Sequence, residues 1–488
     1  MNTSLVILAI TIASFLLGFL RDIFIAREFG LSWQADLIFV SLILPLFFEN
    51  FLGLALRDAM IPYLQRLRRD SEELFRAVAG WLYWRISLAG AGTALLIILC
   101  SYWILSLLSP GWTVEQLDAG QLVFCVGALL IAVQAVLYCQ SALLNMDSVF
   151  ILPMSRTVLL NAGAIIGILI FGPNGIVIFA GMLIPQLALI VVHHRRLGYL
   201  GGSTEAAGKG RGGDFGMALA PVLLAAGAQQ SCILAERMFA SFLDEGSISM
   251  LSFAFRIVTI PLTLYAMSVL GVLFPRFVSS WTDNDQSAHA ILIRKGLLAT
   301  VLFLVPAAVV LASYPQVVVS VLLERGEFGA AQSGATASLV VLYALGLPAM
   351  GLAMLWGRVL LAQNQSRLFL IITLISSALT VGLDAALYGT YGAEGLAFAF
   401  TAGSTVQALF MGFYVYRASP AGLAPAVLLR WLSTAIGIGA LLHWAPAPQG
   451  LLELCLYIVA VLIAFAVGVG ILGERDLFKP AYWSMKNA

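Results

Sequence analysis

Long apolar stretches follow one another along almost the whole chain, and they limit the possible fold more than any other feature does. Each is about 20 residues long, which is the length a helix needs to cross roughly 30 Å of hydrocarbon. The chain has 488 residues and is 61% hydrophobic but only 10% charged, with a mean hydropathy of +0.97. We therefore predict an all-α polytopic membrane protein with about fourteen transmembrane helices, at residues 4–28, 35–60, 78–107, 119–144, 149–171, 174–194, 215–242, 248–274, 294–322, 333–361, 368–388, 393–416, 424–443 and 451–472.

The Lys and Arg residues between these segments lie mostly on alternate connections. RLRRD and HHRRLGYLGG are basic, whereas GPNG and APAPQG contain neither residue. The positive-inside rule then predicts that the basic connections and both termini are cytoplasmic. A net charge of +1 gives no reason to expect a nucleic-acid partner. The five cysteines show no metal-ligand spacing, so we expect no metal site and no cofactor.

The two halves of the chain show a weak internal repeat on either side of a polar, Gly-rich connection. Three pairs of residues are each 216 positions apart: Arg21 and Arg237, Gly30 and Gly246, and Pro45 and Pro261. This pattern predicts two six-helix lobes related by pseudo-two-fold symmetry, plus two C-terminal helices. The predicted domains are an N-terminal lobe (1–194), a cytoplasmic linker (195–214), a C-terminal lobe (215–417) and a final part (418–488) with two helices and a cytoplasmic tail.

Several charged residues interrupt the apolar segments. A charged side chain at the bilayer centre raises the free energy of insertion by about 2.5–3.5 kcal/mol, so each one needs a partner, water or a function. Ser14 and Arg21 share one face of the first helix, and Arg256 has no acidic residue within four positions.

These charges have two interpretations. They are either helix–helix ion pairs, such as Arg21 with Glu49, or cavity residues that bind an anionic, phosphorylated head group, to which arginine donates bidentate hydrogen bonds. Asp36 and Glu49 keep a third option open, because a cation-driven antiporter needs a carboxylate that binds Na⁺ or H⁺.

Particular motifs resemble one known family. LLGFLRDIFIAREFG, followed by ADLIFVSLILP, resembles the first two helices of the lipid II flippase (MurJ/MviN) family of the MOP exporter superfamily. ERMFASFLDEGSISMLSFAFRIVTIP is similar to its seventh and eighth helices, LLERGEFGAAQSG to its periplasmic RGEF element and LLAQNQSR to the next cytoplasmic turn. The resemblance extends over nearly the whole chain.

The resemblance implies a flippase of the bacterial cytoplasmic (inner) membrane. Such a protein moves a polyprenyl-pyrophosphate-linked glycan precursor to the outer leaflet by alternating access around a central cavity that contains arginines. The last two helices would flank the lipid tail. The resemblance and the charge pattern together predict substrate-binding roles for Arg21, Arg256, Ser14, Asp36 and Glu49, and gating or lobe-contact roles for Asp22, Glu236 and Arg237.

Three positions depart from the family pattern. Phe15 replaces an arginine of the first helix, Glu49 replaces an arginine of the second, and Thr259 stands where the family has an acidic residue. Two lost arginines and one gained acid in the expected cavity would weaken its hold on a pyrophosphate. The predicted substrate is therefore either lipid II-like or an undecaprenyl-linked repeat unit of an exopolysaccharide.

The leading prediction is a transporter and not an enzyme, since no Ser-His-Asp pattern or nucleotide-binding loop is present in the sequence. The alternatives are a drug or cation antiporter of the same superfamily and a non-transporting scaffold of a polysaccharide synthesis complex. The expected partners are the glycan lipid, membrane lipids and a glycan polymerase or synthase, and the protein is expected to be a monomer. The energy source stays open between the membrane potential, Na⁺ and H⁺.

Overall fold

The structure is a computed structural model that describes residues 3–55, 60–198, 227, 230–418 and 425–471. Its elements within those ranges are helical, apart from an isolated bridge between Arg325 and Phe328. The helices are α1 (Thr3–Phe29), α2 (Trp33–Ala55), α3 (Ile61–Asp70), α4 (Glu72–Leu99), α5 (Ser101–Leu108), α6 (Val114–Met146), α7 (Ile151–Phe171), α8 (Gly175–Leu197), α9 (230–240), α10 (Ser247–Tyr265), α11 (Gly271–Thr282), α12 (Gln286–Ser313), α13 (Pro315–Leu323), α14 (Ala330–Ala362), α15 (Ser366–Ala418), α16 (Pro425–Trp444) and α17 (Leu451–Ile471), with a π-helical turn at Ala266–Leu270 between α10 and α11.

The helices agree with the predicted membrane segments. In the described part of the chain, ten helices are long and apolar enough to cross a membrane by length and composition. The longest, α15, contains two predicted segments that meet at Gly392, where φ is 58° and ψ is −139°. α2 and α16 coincide with two more predicted segments. Of the predicted segment 215–242, the structure describes residue 227 and residues 230–242, which include α9. The prediction of an all-α polytopic membrane protein is confirmed.

One helix was missed in the sequence analysis. The RLRRD stretch, interpreted as a connection, belongs to the amphipathic helix α3. Its apolar side chains Leu64 and Leu67 are buried in a core cluster with Phe75 of α4 and Leu143 of α6. Arg68, on the polar side, lies over the Phe75 ring at 4.9 Å from its centroid. The basic residues therefore belong to a helix that packs along the protein rather than to a free loop.

Local capping fixes where the helices on either side of α7 begin. The Thr113 side chain accepts from the Gln116 backbone N–H, and the Gln116 side chain accepts from the Thr113 N–H, which is a complete capping box at the start of α6. The Asn174 side chain accepts from the Ile176 N–H at 2.8 Å and starts α8. α6, α7 and α8 all pack against one another.

The α7–α8 contact is unusually close. A Cβ atom added at Gly163 would overlap the carbonyl oxygen of Gly181, and one added at Gly181 would overlap that of Gly163. Only glycine allows two helix backbones to approach in this way. α7 also packs along α1, so it is held between two neighbours. This matters for function because α7 carries two polar residues of the site described below.

Contacts divide the chain into two compact units. Unit 1 comprises Met1–Ser249 and Arg325–Phe328, and unit 2 comprises Met250–Glu324 and Gly329–Ala488. Most of the predicted linker, 195–214, lies outside the described residues. The four predicted domains and the pseudo-two-fold symmetry stay predictions.

Candidate functional site

Arg21 is buried on α1, with 6% of its surface exposed. Its Nε and Nη2 atoms donate to one carboxylate oxygen of Asp22, at 3.0 and 2.7 Å. Its Nη1 atom donates to the side-chain oxygen of Asn161 on α7 at 3.1 Å. Asp22 is itself only 4% exposed, so the cation and its neighbouring carboxylate are buried as a pair. The guanidinium is thus held by its own helix and by α7.

Asn161 links Arg21 to the rest of the polar stripe on α1. Its side-chain nitrogen donates to the backbone oxygens of Thr157 at 3.0 Å and Ser14 at 3.4 Å. The Ser14 hydroxyl donates within its own helix, to the Ile10 carbonyl at 2.8 Å. The stripe that the sequence analysis defined by Ser14 and Arg21 therefore faces α7, and the Ser14 hydroxyl makes a helical hydrogen bond.

Glu49 on α2 forms an ion pair with Arg156 of α7. The Nη2 atom of Arg156 donates to Glu49 at 2.9 Å and to the Tyr138 hydroxyl at 2.7 Å. The Arg156 guanidinium also lies 4.3 Å from the centroid of the Tyr138 ring, a cation–π distance. The Arg156 carbonyl accepts a hydrogen bond from the Gln186 side chain of α8 at 2.6 Å. The ion pair of Glu49 with Arg21 that the sequence left open is not the one observed, since Glu49 pairs with Arg156 instead.

These groups form one polar cluster inside unit 1. Glu49 interacts electrostatically with Arg21 as well as with Arg156, which joins the two ion pairs. Two arginines and two acids make the cluster neutral in formal charge. We call it the α1–α7 polar cluster, and its members are Arg21, Asp22, Glu49, Tyr138, Arg156 and Asn161.

Asp36 on α2 caps the start of α10. One of its carboxylate oxygens accepts from the Gly246 backbone N–H at 2.8 Å, and the other accepts from the Ser249 N–H at 2.7 Å. Asp36 is 2% exposed, and Gly246 has the left-handed φ of 88° that favours glycine. The Ser249 N–H is one of the first N–H groups of α10, which have no partner within their own helix, and the Gly246 N–H directly precedes that helix. The geometry is that of a helix cap, in which both oxygens are already occupied.

The Glu236–Arg237 pair stabilises the same turn. Arg237 donates to the Ile248 carbonyl at 2.8 Å, and its Nη1 atom lies 3.6 Å from the Glu236 carboxylate. Both side chains are almost fully buried. Arg237 also interacts electrostatically with Asp36. Together these residues connect α2, α9 and the start of α10.

Arg256 belongs to unit 2. It lies on α10 and is partly buried, and its carbonyl accepts a hydrogen bond from the Thr259 hydroxyl at 3.1 Å. The neighbouring Phe255 ring contacts the rings of Tyr343 and Phe400 edge-on, at centroid distances of 5.4 and 5.1 Å. Arg256 is therefore placed beside an aromatic group that fixes this part of α10 on α14 and α15.

The other charged positions in the segments are less informative. Arg85 and Arg358 each lie over an aromatic ring, at 4.9 and 5.0 Å from its centroid. Arg57 and Asp58 lie outside the described residues. Among the residues that the structure does describe, no group of three or more His, Cys, Asp or Glu side chains is arranged to hold a metal ion.

Sequence reasoning missed three members of the polar cluster. Asn161 lies 140 positions from Arg21 and looks like an ordinary polar residue in an apolar helix. Tyr138 carries no signal at all in its local pattern. Arg156 has no acidic residue within four positions in the sequence, and its partner Glu49 lies 107 positions away.

Comparisons with known sequences give a consistent result. Residues 25–468 match the family described as "Lipid II flippase MurJ". A protein of Thermotoga maritima named "Probable lipid II flippase MurJ" is 26% identical over 396 residues, which cover 80% of each chain. One of Helicobacter pylori with the same name is 26% identical over 403 residues, covering 77% of this chain and 86% of that one.

Solved structures show the same fold. "Lipid II flippase MurJ, inward closed conformation" superposes with a TM-score of 0.84 at 20% identity, over 97% of this chain and 99% of that one. An inward-facing MATE multidrug resistance transporter of the MOP superfamily reaches a TM-score of 0.68 at 14% identity, over 86% and 98%. At these identities the likeness is one of fold. The sequence match over most of its length shows that this chain belongs to the lipid II flippase MurJ family.

Proposed function

We propose that this protein is a flippase that moves a polyprenyl-pyrophosphate-linked glycan from the cytoplasmic to the outer leaflet. Transport proceeds by alternating access around a central cavity to which Arg21 and Arg256 contribute. Family membership supports a transporter of a lipid-linked precursor. Such a transporter makes and breaks no covalent bond. We further propose that it works as a monomer in the bacterial inner membrane with both termini in the cytoplasm, next to a glycan polymerase or synthase.

The observation that carries this proposal is the buried guanidinium of Arg21. An arginine stays charged when it is desolvated, and burying it in an apolar helix is unfavourable unless it is paired. Asp22 and Asn161 supply that pairing and leave the cation on a fixed, concealed face of α1. Three of its five N–H groups serve Asp22 and Asn161, and the remaining two, one on each terminal nitrogen, can donate parallel hydrogen bonds to the oxygens of a phosphate ligand.

The membrane potential supplies a direction for this transport. The cell interior is negative, so an anionic head group is driven outward. For a head group with two negative charges the gain is roughly 4–5 kcal/mol per 100 mV. The potential is therefore a sufficient energy source in this proposal, with Na⁺ or H⁺ as the alternatives that an ion-replacement experiment would separate.

A second candidate substrate is the lipid-linked repeat unit of an exopolysaccharide. Glu49 pairs with Arg156, so the α1–α7 polar cluster is neutral overall rather than cationic. A neutral cluster favours a substrate that is held more by its glycan and lipid parts than by its pyrophosphate. This observation concerns the identity of the glycan and leaves the transport mechanism unchanged.

The antiporter alternative has less support. A site for Na⁺ or H⁺ needs carboxylate oxygens that are available, and the two candidates from the sequence are engaged. Asp36 accepts two backbone hydrogen bonds, and Glu49 pairs with Arg156. The likeness to MATE transporters is one of fold only.

Complementation tests the proposal. The resident lipid II flippase of a bacterium is depleted while this protein is expressed, with Arg256→Ala as a matched variant and membrane insertion measured for both. Growth that depends on Arg256 supports a lipid II transporter. Failure of a well-inserted protein to sustain growth, together with restored capsule or slime export in a strain that lacks its exopolysaccharide flippase, identifies the second substrate. Failure in both strains contradicts the flippase proposal.

A further inference from the structure

Arg156 has a donor that no described residue uses. Its side chain is 8% exposed, and its Nη2 atom serves both Glu49 and Tyr138. The Nη1 atom on the other arm of the fork is buried and has no hydrogen-bond partner. A buried donor without an acceptor destabilises the folded protein. The unused donor can bind a ligand, and the ligand that an arginine fork binds is an anion.

The surroundings hold this guanidinium in position. The Tyr138 ring lies against its face at 4.3 Å, and Gln186 fixes the Arg156 carbonyl at 2.6 Å. Gly163, on the same helix, packs directly on the α8 backbone. The Tyr138 ring therefore positions the guanidinium and the α8 contacts position the backbone that carries it, and a pre-positioned fork loses little conformational entropy when it binds an anion.

Glu49 is on the accessible side of the pair. Its side chain is 22% exposed, whereas that of Arg156 is 8% exposed. The carboxylate can thus leave the pair at a smaller energetic penalty than the buried cation can. The Glu49 carboxylate pairs with the guanidinium in the way that a bound phosphate oxygen would.

We propose that Arg156 is a second head-group-binding arginine of unit 1, and that Glu49 is an internal anion which the pyrophosphate of the substrate displaces. This inference rests on the proposed function, since it assumes a substrate with a phosphorylated head group. It gives the two members of the pair opposite roles. Arg156 binds the ligand, whereas Glu49 competes with the ligand and keeps the fork charged, oriented and paired when the site is empty.

The opposite roles make opposite predictions. Arg156→Gln removes the fork, and we expect the affinity for a pyrophosphate head group to fall about tenfold or more, which corresponds to the loss of a charge-assisted hydrogen bond. Glu49→Gln removes the competing charge and keeps the hydrogen-bonding shape, so the affinity should rise several-fold. The double variant should behave like Arg156→Gln. A purely structural ion pair predicts instead that both single variants lower the melting temperature and leave the affinity unchanged.

The experiment measures binding of undecaprenyl pyrophosphate and of undecaprenol, which lacks the phosphates, to the full-length protein in nanodiscs. The variants are Arg156→Gln, Glu49→Gln, the double variant and Arg21→Gln, with Arg68→Gln as the matched control. Arg68 lies on the partly exposed α3 and pairs with Asp147 and Glu72, neither of which belongs to the α1–α7 polar cluster, so its loss should leave the preference for pyrophosphate unchanged.

The outcomes distinguish the inference about Arg156 and Glu49 from the proposed function on which it rests. Weaker binding by Arg156→Gln together with tighter binding by Glu49→Gln supports the inference. Unchanged binding by both, while Arg21→Gln weakens it, overturns the inference and leaves the proposed function intact. A wild-type protein that does not prefer the pyrophosphate over the alcohol overturns both. If Arg156→Gln does not fold, Glu49→Gln decides: unchanged or weaker binding by that variant contradicts the displacement.

Discussion

The Arg21 guanidinium on α1 donates a hydrogen bond to the side-chain oxygen of Asn161 on α7, 140 residues further along the chain, at a distance of 3.1 Å. Asn161 completes the connection by donating to the carbonyl of Ser14. Two helices that both carry expected membrane segments are therefore joined by a polar contact around a buried cation. This contact fixes the orientation of Arg21, on which the proposed transport depends.

Replacing Asn161 by Ala tests that dependence. The variant leaves one arm of the Arg21 guanidinium without its acceptor, which should lower the free energy of unfolding by about 1–3 kcal/mol. Transport should fall roughly tenfold, because the guanidinium is no longer held towards the substrate. Thermal unfolding in detergent and growth complementation measure the two effects. Wild-type values for both would show that Asp22 alone positions Arg21.

Arg21→Lys should inactivate the protein almost as fully as Arg21→Ala does. A lysine keeps the charge but cannot reach Asp22 and Asn161 at once, since its single ammonium lacks the planar fork. The matched control is Arg27→Lys on the same helix, where the side chain is 53% exposed and pairs only loosely with Glu28. Equal growth of cells carrying Arg21→Lys and Arg27→Lys would refute a specific role for the fork.

The role of Asp36 can be separated from substrate binding. Asp36→Ala removes the acceptor of two backbone N–H groups at the start of α10, so we expect a loss of about 1–2 kcal/mol in stability. Asp36→Asn keeps one acceptor oxygen and should lose less. Melting temperature and transport per inserted molecule are measured together. A stable Asp36→Asn protein that fails to transport would assign Asp36 to the substrate, as the sequence analysis predicted, rather than to the helix cap.

The close α7–α8 contact predicts a sharp effect from small substitutions. Gly163→Ala places a methyl group on the carbonyl of Gly181, so the two helices must separate, with an expected loss of about 1–3 kcal/mol. Gly92→Ala on α4 is the control, because a Cβ atom there meets nothing within 4 Å. Its melting temperature should stay equal or rise slightly, since alanine favours helix. Similar melting temperatures for the two variants would mean that α7 and α8 adjust freely.

Much of the fold could be predicted from the sequence. Hydropathy alone placed the membrane segments, because a segment that must cross hydrocarbon has a fixed length and few charges. The internal repeat also paired Gly30 with Gly246, and both have positive φ, of 58° and 88°. α3 was missed because the helix is only 10 residues long and contains three arginines. A short, basic segment of this composition is also typical of a loop.

The candidate site was predictable only in part. Arg21 stands out in its own helix, and its neighbour Asp22 is adjacent in sequence. The partners Asn161 and Arg156 come from a distant helix, and no local pattern reports which of its faces meets α1 or α2. Glu49 was likewise expected in the cavity, but its counter-ion Arg156 was not identified from the sequence. Such pairings depend on tertiary packing, which the period of one helix does not encode.

The most direct measurement is transport itself, in liposomes that contain the purified protein and lipid II labelled in its glycan. The fraction of label that reaches the outer surface is followed with a membrane-impermeant reagent, with an inside-negative potential imposed. We predict that the wild-type protein exposes the label faster than protein-free liposomes do, and that Arg21→Ala and Arg256→Ala, inserted to the same level, do not. Exposure by the two variants at the wild-type rate would contradict the account. So would a wild-type protein that moves neither lipid II nor any other polyprenyl-pyrophosphate-linked glycan offered in its place.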